Sequence, residues 1–280
     1  MQIRISADST CDLSPEQIER YRIRIAPLYV NRGGEMLRDG VDVFPDDLYA
    51  HVAAGGELCS TAAVNCADYQ ELFRELTADG SAVIHVCLSS EMSSCFQNAR
   101  LAAQEFENVY VVDSRSLSAG HGLVVLRAAI LAESGMEPGA IAQELEAVTE
   151  KVSASFVLER LDYMRKGGRC SAVAALGANL LKLRPGIRVT DGKMGVDKKY
   201  RGSMEKCIRE YVHEQLADPS QIDRSLLFIT HSGAPESVVQ AAMEAVRECA
   251  EFDEIVQTHA GCTICSHCGP GTLGVLFVRK

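Results

Sequence analysis

The chain has 280 residues, 47% of them hydrophobic, and a formal net charge of −10. That length accommodates one large or two ordinary domains around sizeable cores, and the acidic balance argues against general nucleic-acid binding. No apolar run approaches the roughly 18 residues of a membrane span. The amino terminus shows no basic start followed by an apolar stretch, so a cytoplasmic protein without an integral membrane segment is expected. Eleven cysteines, scattered from Cys11 to Cys268, suit reduced thiols better than a secreted disulfide framework.

The first 150 residues alternate short apolar runs with amphipathic stretches. Ile3–Ala7 reads as a strand. Ser14-Pro15-Glu16-Gln17 then carries a cap, a first-position proline and a glutamine three residues after the cap, which together mark a helix start. Ile23–Val30, Asn31-Arg32-Gly33-Gly34 and Glu35–Val41 read as a β-hairpin. Helices are expected over Pro45–Ala54 and Ala67–Ala78. Strands at Ala82–Leu88 and Val109–Val112 flank a helix from Cys95 whose Phe96, Ala99, Ala103 and Phe106 share a face, a unit that predicts a parallel sheet. Further helices are expected over Leu123–Ser134 and Pro138–Val152.

A second half is expected from about residue 155. It contains a strand at Ser155–Leu158, a hairpin turning at Asp191-Gly192, a helix over Met204–Leu216 and a strand at Leu226–Thr230. A helix over Pro235–Cys249 and strands near Glu254–His259 and Thr272–Val278 complete it. From Arg160 to Arg201 there are 11 Lys or Arg against three acids, so this stretch is basic within an acidic chain. A solvated surface and an anion or partner-docking surface both fit that pattern.

Four serines, Ser89, Ser90, Ser93 and Ser94, stand between the strand ending at Leu88 and the helix at Cys95. Hydroxyls and free backbone N–H groups at a helix start suit an anion; capping of the helix is the simpler alternative. No histidine or lysine in the cluster could activate a serine as nucleophile. Thr61 lies in an expected loop, Cys59-Ser60-Thr61-Ala62. His267 lies in the turn-rich Ser266–Gly271 and is a second candidate donor to the same anion. Cys262, Cys265 and Cys268 have a C-x-x-C-x-x-C spacing that could serve a metal, but no second C-x-x-C exists to complete a tetrahedral site. Buried thiols are the favoured reading. In Leu161–Ser171 a glycine pair, Gly167-Gly168, reads as a bend presenting Arg169, a guanidinium suited to carboxylates or phosphates.

Together these segments resemble the DegV family of bacterial fatty-acid-binding proteins. The family's serine motif falls on Ser89–Cys95, with Ser93 on its key serine, and its Asp-Ser and Ser-x-Gly-x-Gly elements on Asp113-Ser114 and Ser118–Gly122. Leu161–Ser171 is followed by Leu176-Gly177, Leu180-Leu181, Lys182, Pro185, Asp191-Gly192 and Arg201-Gly202 in the family's order, and Ser266–Gly271 resembles its closing His-x-Gly-Pro-Gly. Two departures stand out: Ser94-Cys95 replaces Gly-Thr, and Ala62-Ala63-Val64 replaces Ser-Gln-Pro.

The resemblance implies an α/β protein with two lobes, approximately 1–155 and 156–280. The first is a three-layer α/β/α parallel sheet and the second an α/β domain with a mixed sheet. It further implies that one long-chain fatty acid is buried between the lobes, with no other cofactor and no turnover. Thr61 and Ser93 match the carboxylate-binding hydroxyls, and Ser94 and His267 stand in the supporting head-group positions. Arg169 and Arg201 match a surface that would meet a fatty-acid kinase, to which the carboxylate is presented for acyl-phosphate formation. The rival readings are a hydrolase or acyl-transfer enzyme using Ser93 and His267, against which stands the lack of a G-x-S-x-G turn, and a metal-binding module through Cys262, Cys265 and Cys268.

Overall fold

The computed structural model describes residues 2–174 and 183–280. The family-matched positions Leu176, Gly177, Leu180, Leu181 and Lys182 lie outside the described residues. Strand β1 (Ile3–Asp8) leads through a 3-10 turn to α1 (Pro15–Arg20). The expected helix start is present: Ser14 Oγ accepts the Gln17 N–H at 3.3 Å, and the Gln17 side chain accepts the Ser14 N–H at 3.1 Å. The run expected as one strand from Ile23 to Val30 is two, β2 (Arg24–Ala26) and β3 (Tyr29–Arg32). Pro27 stands between them, and with no N–H to donate it cannot continue a ladder. Accordingly β2 pairs in parallel with β1, whereas β3 leaves that sheet and pairs antiparallel with β4 (Glu35–Arg38).

After α2 (Pro45–Ala53), residues Ser60–Ala62 form β5, where the sequence suggests a loop. Strand β5 pairs antiparallel with β3, opposing Thr61 to Val30, and completes a three-stranded sheet of order β4-β3-β5. Next come α3 (Cys66–Thr77), β6 (Ala82–Cys87), α4 (Cys95–Ala103), β7 (Val109–Asp113), α5 (Ser118–Glu133) and α6 (Pro138–Thr149). The four strands β2-β1-β6-β7 make a wholly parallel sheet. Its β6 is buried along its whole length, as strands covered on both faces are. Val83 and Cys87 join the core of α3 and α4 through Tyr69, Phe73 and Ala99. Ile84 and Val86 join that of α5 and α6. This is the expected three-layer α/β/α arrangement. Phe106 packs in the α3–α4 core although α4 ends before it.

Helix α5 begins at Ser118, five residues before the expected Leu123, and so takes in Gly120 and Gly122. A Cβ on Gly120 would lie 2.4 Å from Ser116 Oγ and 3.0 Å from the Ala154 Cβ; one on Gly122 would lie 2.5 Å from the Cys11 carbonyl oxygen. Glycine is therefore a packing requirement at both sites. The helix is sandwiched: its core includes Ile84 and Val86 from the first sheet and Ala154, Phe228 and Leu276 from the second. A helix apolar on nearly every side is the sequence form that such a position demands.

Helix α6 ends at Thr149, short of the expected Val152, because Val152 opens β8 (Val152–Val157). The lobe division expected at residue 155 lies inside this strand. Beyond it come α7 (Asp162–Gly167), α8 (Ser171–Ala174), β9 (Leu183–Thr190), β10 (Lys193–Arg201), α9 (Met204–Gln215), β11 (Ile222–His231), α10 (Glu236–Cys249), β12 (Ile255–His259), α11 (Cys262–Cys268) and β13 (Leu273–Arg279). The hairpin β9–β10 turns where expected, with Asp191 and Gly192 at φ +50° and +79°. The second sheet has the order β10-β9-β8-β13-β11-β12 and is mixed, β11 and β12 being parallel and its other pairs antiparallel. Helices α9 and α10 pack on it through Tyr211, Val212, Val239 and Val246. Among the described residues, no helix is long and apolar enough to cross a membrane.

Candidate functional site

The serine segment is a compact loop tied at both ends. The Leu88 N–H donates to Asp8 Oδ2 at 2.8 Å, and the Ser90 N–H to Asp113 Oδ1 at 3.2 Å, so acids closing β1 and β7 hold the loop that follows β6. Ser89 donates to the carbonyl oxygen of Gly192 at 2.8 Å, which docks the β9–β10 turn on this loop. Lys193 and Glu91 form an ion pair beside it at 3.3 Å. Ser93, half-buried, accepts the Cys95 N–H at 3.3 Å and donates to Cys95 Sγ at 3.2 Å. Sulfur is a weak acceptor, so the Ser93 hydroxyl can turn to a stronger one at small cost. Ser94 sits at the cap position of α4 without a side-chain capping bond, and its φ of −78° is open to any residue. Replacement of the family's glycine by Ser94 is thus compatible with this turn.

Opposite Ser93, α11 carries His267. The sequence places this histidine in a loop between strands; instead it lies in a seven-residue helix that ends at Gly269, φ +72°. Its Nε2 is 2.7 Å from Thr61 Oγ1 on β5. Burial, and then the positive charge of Arg169, lower the His267 pKa to about 4, so the imidazole is neutral near pH 7. Its Nδ1 has no hydrogen-bond partner among the described residues. Gly167 lies against this ring: a Cβ there would be 2.2 Å from Nδ1. Gly168, at φ +69°, caps α7 in the left-handed conformation and turns the chain. Arg169 then reaches back, donating to the Gly167 carbonyl at 2.8 Å and, at 3.5 Å, to that of Met92 in the serine loop.

Two aspartates that sequence reasoning missed set the position of α11. Asp39 Oδ1 accepts the Cys262 N–H at 2.8 Å, and its Oδ2 accepts the Thr263 N–H at 3.0 Å. Asp12 accepts the Gly261 N–H at 2.8 Å and the Ser118 hydroxyl at 2.5 Å. Both carboxylates are buried. They satisfy the free N–H groups at the start of α11 and oppose the positive end of its dipole. Burial pushes the Asp12 pKa up to about 7 against the pull of its two donors, with Asp39 adding to the rise. The acids lie more than 220 residues from the N–H groups that donate to them, and no local pattern pairs them. Asp12, four residues past the end of β1, was the one available hint.

Between these parts lies a narrow cleft with about 500 Å³ of atom-free space, its open mouth included. Thr61, Ser93, Arg169, Thr263 and His267 provide its polar groups. Leu28, Leu88, Met92, Leu117, Met194 and Ile264 make the rest chiefly apolar. A second space of about 330 Å³, its opening included, adjoins it across the shared residues Leu117, Ile264 and Cys268; its exposed surface is chiefly apolar, with Phe156, Ala260 and Leu276 among its walls and Thr230, Ser232 and Thr272 among its polar residues. The structure therefore brings Thr61, Ser93, His267 and Arg169 to one cleft. Ser94, exposed, does not line it, and neither does Arg201, exposed at the end of β10.

The basic stretch is largely offset in three dimensions. Lys166 meets Glu57, Arg184 meets Glu159, Arg188 meets Asp197, and Lys198 meets Glu210 and Glu214. The cysteine run does not converge. Cys262 donates to the Val43 carbonyl and Cys265 to that of Ala260; burial raises all three thiol pKa values, that of Cys268 to about 12. Their three-residue spacing is the spacing of one buried helix face. Among the described residues the only group of three potential metal ligands is Asp8, His85 and Cys87, and Asp8 already accepts the Tyr69 hydroxyl and the Leu88 N–H. Nor are Ser93 and His267 hydrogen-bonded to each other. The imidazole faces Thr61, its lowered pKa disfavours it as a base at pH 7, and no acid among the described residues orients its Nδ1.

The pattern of the family described as "uncharacterised protein, DegV family" matches residues 2–280. A DegV domain-containing protein of Clostridium perfringens is 30% identical, covering 100% of this chain and 99% of its own. One from Deinococcus radiodurans is 31% identical, over 98% of both. Among solved structures, a DegV family protein from Thermus thermophilus, described for its fatty-acid binding, superposes with a TM-score of 0.92 at 30% identity over the whole of both chains. DegV of Bacillus subtilis, described as a fatty acid binding protein, gives 0.86 at 27%, again over the whole of both chains. Matched in sequence and in fold from end to end, the chain belongs to the DegV family.

Proposed function

We propose that this protein binds one long-chain fatty acid in the cleft and presents its carboxylate to a fatty-acid kinase, itself turning nothing over. The observation that carries the reading is the cleft's polarity: hydroxyls and a neutral imidazole stand on facing elements, and an apolar path leads away from them past Leu117 and Ile264. Thr61 and Ser93 donate to the carboxylate. The neutral His267 donates from Nε2 to Thr61 Oγ1, which leaves the Thr61 proton for the carboxylate, and Arg169 supplies the charge at the mouth. The acyl tail enters the adjoining apolar space. The Thermus thermophilus and Bacillus subtilis relatives, both described as binding fatty acid, support the class of ligand. In this reading Arg169 and Arg201 meet the kinase, and the chain works as two lobes meeting at the cleft, in the cytoplasm.

Magnitudes divide the labour. At about 0.8 kcal/mol per buried methylene, a tail of roughly 15 carbons gains on the order of 12 kcal/mol before ordering costs. A charge-assisted hydrogen bond adds only about 1.5–3 kcal/mol. Affinity thus resides in the tail, and the selection of acid over alcohol resides in Thr61, Ser93 and His267. Titration with stearic acid and with stearyl alcohol separates the two. The wild type favours the acid, and Thr61→Val or His267→Ala removes that preference while alcohol binding persists. Equal loss of both ligands would contradict the assignment, and steady ester or phosphoester hydrolysis abolished by Ser93→Ala would replace the carrier with an enzyme.

A further inference from the structure

Thr263 is the polar group of the cleft that a plain fatty acid does not explain. It is 4% exposed, it is one of the residues lining the cleft, and its buried hydroxyl has no hydrogen-bond partner among the described residues. The usual local outlets are closed to it. Its own N–H, with those of Gly261 and Cys262, is already taken by Asp39 and Asp12, so the hydroxyl does no capping. As the second residue of α11 it follows His259 by four positions, and that residue belongs to β12, so no helical carbonyl lies one turn back. A buried hydroxyl without a partner carries the full cost of its lost hydration.

On α11, Thr263 precedes His267 by four residues, or about 6 Å of helix axis, on the same face. With a carboxylate held at Thr61 and Ser93, an acyl chain that runs along α11 passes its first few carbons between His267 and Thr263. Unsubstituted methylenes offer that hydroxyl nothing. A hydroxyl group on the chain close to the carboxylate could accept from Thr263 or donate to it.

We propose, resting on the fatty-acid reading above, that Thr263 is a binding residue that makes this cleft selective for acyl chains hydroxylated near the carboxylate, β-hydroxy fatty acids being the class. Three probes of equal length test it: stearic acid, β-hydroxystearic acid and ω-hydroxystearic acid, each titrated into the wild type, Thr263→Val and Thr263→Ser. The wild type should bind the β-hydroxy acid about three- to tenfold more tightly than stearic acid, the net worth of one neutral hydrogen bond. It should show no such gain for the ω-hydroxy acid. The near-isosteric Thr263→Val should lose the preference while still binding stearic acid, and Thr263→Ser should keep it. Equal wild-type binding of stearic and β-hydroxystearic acid, or a preference that survives in Thr263→Val, overturns the proposal and leaves the fatty-acid reading intact. A wild type that binds none of the three defeats that reading and this inference with it.

Discussion

Replacing Asp39 by asparagine exchanges one carboxylate oxygen for an NH2 group and leaves the shape unchanged. In the native protein the two oxygens accept the N–H groups of Cys262 and Thr263, and Oδ2 also accepts the Ser9 hydroxyl at 3.1 Å. Asparagine can serve one N–H with its remaining oxygen, but its amide must then face the other donor. One charge-assisted bond is lost, worth about 1.5–3 kcal/mol, and a buried N–H is left unsatisfied, costing roughly 1–3 kcal/mol more unless the helix shifts. The loss of a negative charge at the helix start adds about 0.5–1 kcal/mol. A destabilisation of about 3–7 kcal/mol follows, read as a lower urea midpoint at an unchanged m-value. The second readout is the imidazole NMR signal of His267, which should shift because α11 carries it against Thr61. A destabilisation below about 1 kcal/mol with an unmoved His267 resonance would show that Asp39 does not set the helix.

Further outcomes follow from the same geometry. The His267 pKa is held near 4 by burial and by Arg169, so Arg169→Gln should raise it and a bound carboxylate should raise it further, both visible in an imidazole titration. Because this folded-state pKa lies below the unfolded value of about 6.5, the contribution of His267 to stability is complete above pH 6.5 and is lost as pH drops toward 4. His231, lowered to about 4 by burial and then by His259, adds to the same window, while Asp12, raised to about 7, opposes both there; imidazole signals of His267 and His231 that titrate near 6.5 in the folded protein would refute both assignments. Gly167→Ala should push the imidazole away, since its Cβ would lie 2.2 Å from Nδ1. It should weaken binding of the acid more than of the alcohol, and no change in their ratio would be contrary to the close approach. Ser93→Ala should retain fatty acid but lower acyl-phosphate formation with a partner kinase, and normal formation would remove Ser93 from the carboxylate's positioning.

What could be read in the sequence was what neighbouring residues decide. The capping box at Ser14–Gln17, the β6–α4–β7 unit and the Asp191-Gly192 turn all rest on contacts within a few residues or on clear periodicity. The break between β2 and β3 was legible too, through Pro27, but the apolar content of Ile23–Val30 masks it. Thr61 could not be placed on a strand: three residues, Ser60-Thr61-Ala62, carry no period, and β5 exists only because β3 pairs with it. His267 was hidden by the polar, glycine-flanked character of its segment. The spacing of Cys262, Cys265 and Cys268 was its helical signal, and metal chemistry offered a competing explanation for it. The hold of Asp12 and Asp39 on α11, and the contact of Gly167 with His267, arise from long-range packing that local pattern does not encode.

The central claim is that this cleft holds a single acyl chain by its tail and orients it by its head. Native mass spectrometry of the delipidated protein, given one equivalent of stearic acid, tests it most directly. The account predicts a one-to-one adduct. It predicts that Met194→Trp, which fills the apolar wall of the cleft, strongly reduces that adduct while leaving the protein folded. Absence of the adduct in the wild type, or an adduct of equal abundance in the filled variant, would contradict it.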